Sequence, residues 1–324
     1  MVCSVADVGG GWDDGVHTVC VTGATGFIGS HVLPLLLRSG VRVRVLTRSG
    51  QTDLGDVDSF AGDLFDAPSL VHFMQGADLL INLAQPSGSL ADEQYFAGMS
   101  NLARAGSEAG VRRVLHISTA MVVGVPMADI VTEEMPCRPK TTYERQKFSA
   151  EQLLRSELGP DVDFGILRPA AVFGEGGQNL LKLAGVIARG SALKRRLLRF
   201  LHGKRRMHLV SVQDVADAIV FLAFLSRPLA GSVFLIASDN EPANNYQAVD
   251  AILGAAMGKP LPWSSVSIPS SLLGLLLRLA GRSQAAPMLI YDTSKIRSRG
   301  FLPGNDFALA LKDFAEFYMK KSGR

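Results

Sequence analysis

From His17 onward, short apolar runs alternate with stretches in which apolar residues recur every three to four positions. That is the rhythm of a parallel sheet covered by helices on both faces. Residues 17–22 predict a first strand, 26–39 a first helix closed by Gly40 as its C-cap, and 41–46 a second strand. Further strands are expected at 79–83, 114–118, 164–167 and 233–236, with helices such as 93–109 and 149–158 between them. Consecutive parallel strands need crossovers of about this length. The predicted class is therefore α/β, a doubly wound parallel sheet. After Gly174 the rhythm is lost, and the segment to Leu209 reads as loop plus a basic helix before a helix over 212–225 returns to the sheet pattern. The shifts predict a loose tail over 1–15, a sheet domain over 16–175 to which 209–240 returns, and a smaller lobe from 176–208 and 241–324.

Composition narrows the class. The chain has 324 residues, 47% hydrophobic and 19% charged, with 33 Gly and 15 Pro, the balance of a globular rather than a fibrous or disordered chain. The first twenty residues carry Asp7, Asp13 and Asp14 and lack the basic start and apolar run of a signal peptide. The most apolar later stretches, 218–225 and 272–277, fall short of the roughly 20 residues a spanning helix needs, so no transmembrane segment is predicted. Residues 270–282 read as an amphipathic helix, packed on the smaller lobe in preference to a partner or membrane surface. Cys3, Cys20 and Cys137 form no disulfide or metal-ligand spacing, which points to a reducing, cytoplasmic setting and no metal. The single histidines His31, His72, His116, His202 and His208 lack ligand spacing and read as structural or solvated.

Charge changes the picture more. Lys+Arg total 33 against 30 Asp+Glu, yet no acid lies between Gly176 and Gln213, where Lys182, Arg189, Lys194, Arg195, Arg196, Arg199, Lys204, Arg205 and Arg206 stand. The chain is not uniformly basic, which excludes a general nucleic-acid binder, but this stretch suits a local anion. It equally suits a solvated basic helix face, or one resting on anionic lipid. Leu193, Leu197, Leu198 and Leu201 follow helical spacing and predict packing onto the smaller lobe.

The first strand runs into Thr22-Gly-Ala-Thr-Gly-Phe-Ile-Gly29, a GxxGxxG turn that opens a helix. Gly23 permits the tight turn, Gly26 lets backbone approach a pyrophosphate, and Gly29 lets helix and strand pack closely. With Thr25, Phe27 and Ile28 they form a cradle at a helix N-terminus, the arrangement that holds a dinucleotide. The second strand ends in Leu46-Thr-Arg-Ser49 with no acid. Arg48 suits a ribose 2′-phosphate, with Ser49 as a further donor, which predicts NADP over NAD. Asp63 can accept from the adenine amino group or cap the next helix; Leu64, Leu83 and Ala84 are expected along the same cofactor, as is Arg168.

Tyr143 and Lys147, at i and i+4 of a helical stretch, share one face. A phenol titrates near 10, and a nearby ammonium would favour its phenolate. The pair lies 24 residues after Thr119, and Ser118-Thr119 stand at the C-terminal end of a predicted parallel strand, the edge at which such sheets bind ligands.

TGATGFIG at Thr22, Ser118-Thr-Ala-Met-Val-Val-Gly124, the Tyr143/Lys147 pair, Leu167-Arg-Pro-Ala-Ala-Val-Phe-Gly174 and Val212-Gln-Asp-Val-Ala216 together resemble the extended short-chain dehydrogenase/reductase family, also described as NAD-dependent epimerase/dehydratases. The resemblance implies a Rossmann-type domain with a smaller C-terminal substrate-binding lobe, and subunits that pair as homodimers. It assigns Thr119 to hold the reacting oxygen, Tyr143 to exchange its proton and Lys147 to tune Tyr143. Ser118, Gln178, Asn179, Arg205 and Arg206 are expected at the substrate. The chain departs from the sugar-nucleotide epimerases in Tyr95 and Ala171, where they carry Asn, and near Met207, where they carry Arg. It departs from the dehydratases in Ala120-Met121, where they carry Asp-Glu.

The first functional reading is an NAD(P)-dependent oxidoreductase or epimerase acting at a carbinol or ketone carbon of a nucleotide sugar, its diphosphate held by the basic stretch. The second is an NADP-dependent ketone or alcohol reductase resembling 3β-hydroxysteroid dehydrogenases or dihydroflavonol reductases. A non-catalytic NADP-sensing protein would need no proton-transfer pair, and Thr119, Tyr143 and Lys147 argue against it.

Overall fold

A computed structural model describes residues 15–50, 54–85, 92–126, 128–262, 268 and 288–323. The predicted tail, apart from Gly15, and the expected helix over 270–282 lie outside them. Seven strands form the main sheet: β1 (Thr18–Thr22), β2 (Arg42–Thr47), β3 (Asp58–Ala61), β4 (Leu79–Asn82), β5 (Arg113–Ile117), β7 (Asp163–Pro169) and β10 (Ser232–Ile236). Their order is β10-β7-β5-β4-β1-β2-β3. β1 pairs in parallel with both β2 and β4, with Thr22 opposite Leu46 on one side and Asn82 on the other. The sheet thus winds outward in both directions from β1 and β4, and the ends of these two strands form the switch point where such sheets take ligands. Every residue of β1, β4 and β5 is buried, as strands covered on both faces require.

The helices are α1 (Gly29–Arg38), α2 (Ala67–Met74), α3 (Asp92–Glu108), α4 (Thr142–Glu157), α5 (Leu181–Arg189), α6 (Ala192–His202), α7 (Val212–Ala223), α8 (Tyr246–Ala256), α9 (Ser294–Ser298) and α10 (Phe307–Ser322). Ser39 closes α1, and Gly40 follows at φ +74°, the left-handed conformation glycine adopts most readily. The chain divides into two compact units. The first contains Met1–Val122, Thr141–Arg168 and Ala216–Phe234; the second contains Val123–Lys140, Pro169–Val215 and Leu235–Arg324. The first has a core built on Phe73, Leu80, Met99, Leu102, Leu154 and Ile166. Its Arg113, 3% exposed, donates to Asp163 and to the carbonyls of Leu222, Ala223 and Leu225, tying the end of α7 to the start of β7.

The second unit has its own core of Phe173, Leu183, Ile187, Leu253, Leu311 and Phe314. Two short parallel pairs complete it: β8 (Ala171–Phe173) with β9 (Leu209–Ser211), and β6 (Ile130–Val131) with β11 (Ile290–Tyr291). The segment read as loop plus one basic helix is two helices, α5 and α6. The predicted packing of the α6 leucines is corrected. Leu193 and Leu197 are 77% and 54% exposed, Leu198 and Leu201 are only partly covered, and the buried positions are Arg195 and Arg199. The reason is Asp250 on α8, itself 1% exposed, which takes both guanidinium groups and turns the helix over.

Candidate active site

The glycine turn is held by contact as well as by conformation. Gly23 has φ +70°, and a Cβ there would stand 2.7 Å from the Leu83 carbonyl carbon and 2.9 Å from the Ala84 nitrogen. The ends of β1 and β4 are thus pressed together at the switch point. Asn82 fastens them, accepting from Thr22 Oγ1 at 2.7 Å and from the Ala84 amide at 3.2 Å. A Cβ on Gly29 would lie 2.5 Å from the carbonyl oxygens of both Gly23 and Ala24, while one on Gly26 would meet only the Gly23 oxygen, at 3.1 Å. Gly29 is therefore the packing glycine, and Gly26 leaves the outer side of the turn clear. No side chain caps α1, and its first turn holds no acid. Uncapped amides at the positive end of a helix dipole fit a pyrophosphate.

The other expected cofactor residues line up along the same sheet edge. Thr25 is exposed and Phe27 and Ile28 are partly covered. Arg48 and Ser49 follow β2 directly and are both exposed. Asp63 caps no helix: the N-cap of α2 is Asp66, and Asp63 Oδ1 accepts the Phe65 amide at 3.1 Å, which stiffens the loop after β3. Leu64 is buried in the core, and Leu83 and Ala84 are half-buried. Arg168 is 4% exposed, and its guanidinium forks onto both oxygens of Glu151, which braces α4 against β7.

Thr119 follows β5 and Tyr143 lies in the first turn of α4. A capping box starts this helix: the Glu144 amide donates to Thr141 Oγ1 and the Thr141 amide to Glu144 Oε2, both at 3.2 Å. Fixing the first turn sets the phase of the helix, so that Tyr143 emerges with 43% of its surface exposed while Lys147, one turn on, is buried. The Thr119 and Tyr143 side chains stand beside each other, close enough for the Thr119 hydroxyl to act on the Tyr143 phenol. Burial raises the Tyr143 phenol above its ordinary value, and the Thr119 hydroxyl opposes the rise. The expected lowering by Lys147 does not appear. Lys147 donates to the Ile117 carbonyl at 3.1 Å; burial draws it down from 10.5 to about 8, and Glu151 pulls the other way.

Three buried groups lie behind the pair; from sequence, Tyr95 was noted only as a departure, His116 only as a structural histidine, and Glu151 not at all. Glu151 extends the series 143, 147 at the same four-residue spacing and is 1% exposed, a signal that was available had an acid been sought there. Tyr95 on α3 is 1% exposed, its hydroxyl unpartnered among the described residues, and burial followed by the charges of Tyr143 and Glu151 raises its phenol. His116 on β5 shares a hydrogen bond with the Asn82 amide at 3.1 Å, and burial, then Lys147, hold its ring well below the usual imidazole range. Ser118, expected at substrate, has a buried hydroxyl with no partner among the described residues, and its amide bonds the Leu167 carbonyl at 2.8 Å.

The remaining expected substrate residues lie in the second unit. Gln178 is exposed, and Asn179 Nδ2 donates to the Val172 carbonyl at 2.7 Å. Arg205 and Arg206 are partly covered, and Arg206 donates to the Asp239 carbonyl. The charge picture read from the stretch changes accordingly. Arg195 bonds Asp250 at 3.1 Å and the Lys259 carbonyl at 2.6 Å, and Arg199 bonds the same carboxylate and the Pro262 carbonyl.

Comparison with known proteins identifies the family. Residues 19–237 match the family model of the NAD dependent epimerase/dehydratase family. The chain is 30% identical to sterol demethylase protein B of Methylococcus capsulatus, over 69% of this chain and 70% of that one. It is 25% identical to UDP-glucose 4-epimerase of Vibrio cholerae, over 95% and 97%. The structure of Bordetella bronchiseptica WbmH, in complex with NAD+, superposes with a TM-score of 0.70 at 20% identity, covering 94% of this chain and 98% of that one; it shows the same fold. The chain therefore belongs to the NAD dependent epimerase/dehydratase family and is an NAD(P)-dependent enzyme of its oxidoreductase and epimerase type.

Proposed function

We propose that the enzyme is an NADPH-preferring oxidoreductase acting at a carbinol or ketone carbon of a substrate that carries no nucleotide diphosphate. The observation that carries the substrate reading is the inward turn of Arg195 and Arg199 onto Asp250, with Arg206 spent on a backbone carbonyl. The acid-free stretch was the reason to expect a diphosphate, and its central arginines brace the second unit's own fold. The likeness to a protein named for sterol demethylation supports an apolar substrate. The exposed Arg48 and the lack of an acid in Leu46-Thr-Arg-Ser49 at the end of β2 support NADPH.

A bound nicotinamide supplies the hydride donor or acceptor. The protein's own part is to place and protonate. Thr119 and Tyr143, which stand beside each other, hold the substrate oxygen between two donors, which fixes the reacting carbon relative to the sheet edge. A phenol, protonated at neutral pH, suits proton delivery to an oxygen that gains negative charge as a ketone is reduced. Lys147 adds positive charge behind Tyr143, steadied by the Ile117 carbonyl and Glu151.

A nucleotide sugar is the second reading, favoured by the exposed Lys182, Arg189 and Lys204 and by the likeness to an epimerase. Thermal unfolding with NADPH plus either UDP or a sterol-like ketone separates the two. A ligand at 100 times its dissociation constant stabilises by about 2.7 kcal/mol. The ketone is expected to add to the NADPH shift and to drive NADPH consumption that Tyr143→Phe abolishes without weakening NADPH binding. A shift with UDP and none with the ketone would replace the first reading by the second.

A further inference from the structure

The outer face of α6 is built the wrong way round for a helix on a water-exposed surface. Its arginines at 195 and 199 face inward, while Leu193, Leu197 and Phe200 are 77%, 54% and 40% exposed. These three recur at i, i+4 and i+7 and form one stripe. Lys194 and Arg196 flank it on either side and Lys204 follows its end, all exposed. No acid occurs in the sequence from Gly176 to Gln213, and the carboxylate that pairs with this helix among the described residues, Asp250, lies on its opposite face and is buried. The orientation is not free to invert. Turning the leucines inward would break both ion pairs to Asp250 and the bonds of Arg195 and Arg199 to the Lys259 and Pro262 carbonyls.

We propose that this face of α6 docks on an anionic lipid surface, with Leu193, Leu197 and Phe200 entering the headgroup boundary and Lys194, Arg196 and Lys204 meeting lipid phosphates. An apolar stripe bordered by cations with no nearby acid is the complement of such a surface. A neutral protein partner would leave the cations unanswered, and a purely electrostatic one would leave the stripe in water. The docking is peripheral: among the described residues no helix is long and apolar enough to cross a membrane. The inference stands independently of the proposed substrate.

The test is co-sedimentation of the full chain with vesicles of phosphatidylcholine alone and of phosphatidylcholine containing phosphatidylglycerol. It is run beside Leu193→Gln/Leu197→Gln/Phe200→Gln and Lys194→Gln/Arg196→Gln, with melting temperature and oligomeric state measured for each. Binding to the anionic vesicles is expected to exceed that to neutral ones by roughly tenfold or more. The apolar triple variant should lose at least about tenfold and the cationic double variant a similar factor, since each Lys or Arg near such a surface is worth about 1 kcal/mol. Both variants should melt no lower than the parent. Equal or absent binding to the two vesicles overturns the proposal. So does a triple variant that melts markedly lower, which would mean that another part of this chain covers the stripe, or one that turns an oligomer into a monomer, which would mean a second copy does.

Discussion

Lys147 should cost the folded protein stability that its chemistry requires. Its ammonium is 4% exposed, and burial lowers it from an ordinary 10.5 to about 8 despite Glu151. A fall of that size is worth about 3 kcal/mol. Below pH 8 the lysine is protonated in both folded and unfolded states, so the penalty is fully present. Between pH 8 and 10.5 the unfolded chain binds the proton and the folded one does not, so the penalty shrinks as pH rises and is gone above 10.5. Lys147→Met keeps the chain length and removes the charge, while Glu151 keeps its pair with Arg168. Losing the hydrogen bond to the Ile117 carbonyl returns about 1 kcal/mol. The variant should therefore be more stable than the parent by about 2 kcal/mol at pH 7, with the gap closing towards pH 10.5, and it should turn over poorly. Urea unfolding of both proteins at a series of pH values measures the difference directly, and titrating groups that do not interact with Lys147 cancel in it. A variant less stable at pH 7, or a gap that stays constant from pH 7 to 10.5, would refute the account of a desolvated, charged Lys147.

Other substitutions test separate parts of the site. Arg48→Asp should move the preference from NADPH towards NADH by tenfold or more, at the ~1.4 kcal/mol per decade of one charge-assisted contact, as read by fluorescence titration with each cofactor; an unchanged ratio would remove Arg48 from the cofactor. Gly29→Ala places a Cβ 2.5 Å from two carbonyl oxygens and should cost about 1–3 kcal/mol in denaturant unfolding while abolishing cofactor binding. Asp250→Ala strands two buried guanidinium groups and should cost about 3–5 kcal/mol; a loss under 1 kcal/mol would show that Arg195 and Arg199 are solvated.

What the sequence conveyed well was whatever depends on near neighbours. β1, the glycine turn and α1 are one continuous pattern, and Tyr143 with Lys147 is a spacing on a single helix, so both could be read without knowing the rest of the chain. The switch point was less visible because it needs Leu83 and Ala84 brought against Gly23 across about sixty residues. The ion pair of Arg168 was hidden for the same reason. Its partner Glu151 precedes it by seventeen residues, on a helix facing its strand, and nothing local marks an arginine as an internal brace rather than a phosphate clamp.

The basic stretch shows this limit most clearly. The spacing of its leucines defined a stripe, and α6 does carry that stripe. Which side of a helix faces the protein is decided by what waits there, and on α8 it is Asp250, fifty-one residues beyond Arg199. A carboxylate buried without a partner would cost several kcal/mol, more than the exposure of a leucine, which forfeits about 1.5–3 kcal/mol. Two arginines on one carboxylate therefore outweigh the leucine stripe, so a net charge counted along the chain cannot say whether the cations meet a ligand or hold the fold. Arg195 and Arg199 hold the fold, and Lys194, Arg196 and Lys204 are left facing outward beside the leucines that the two buried arginines displaced.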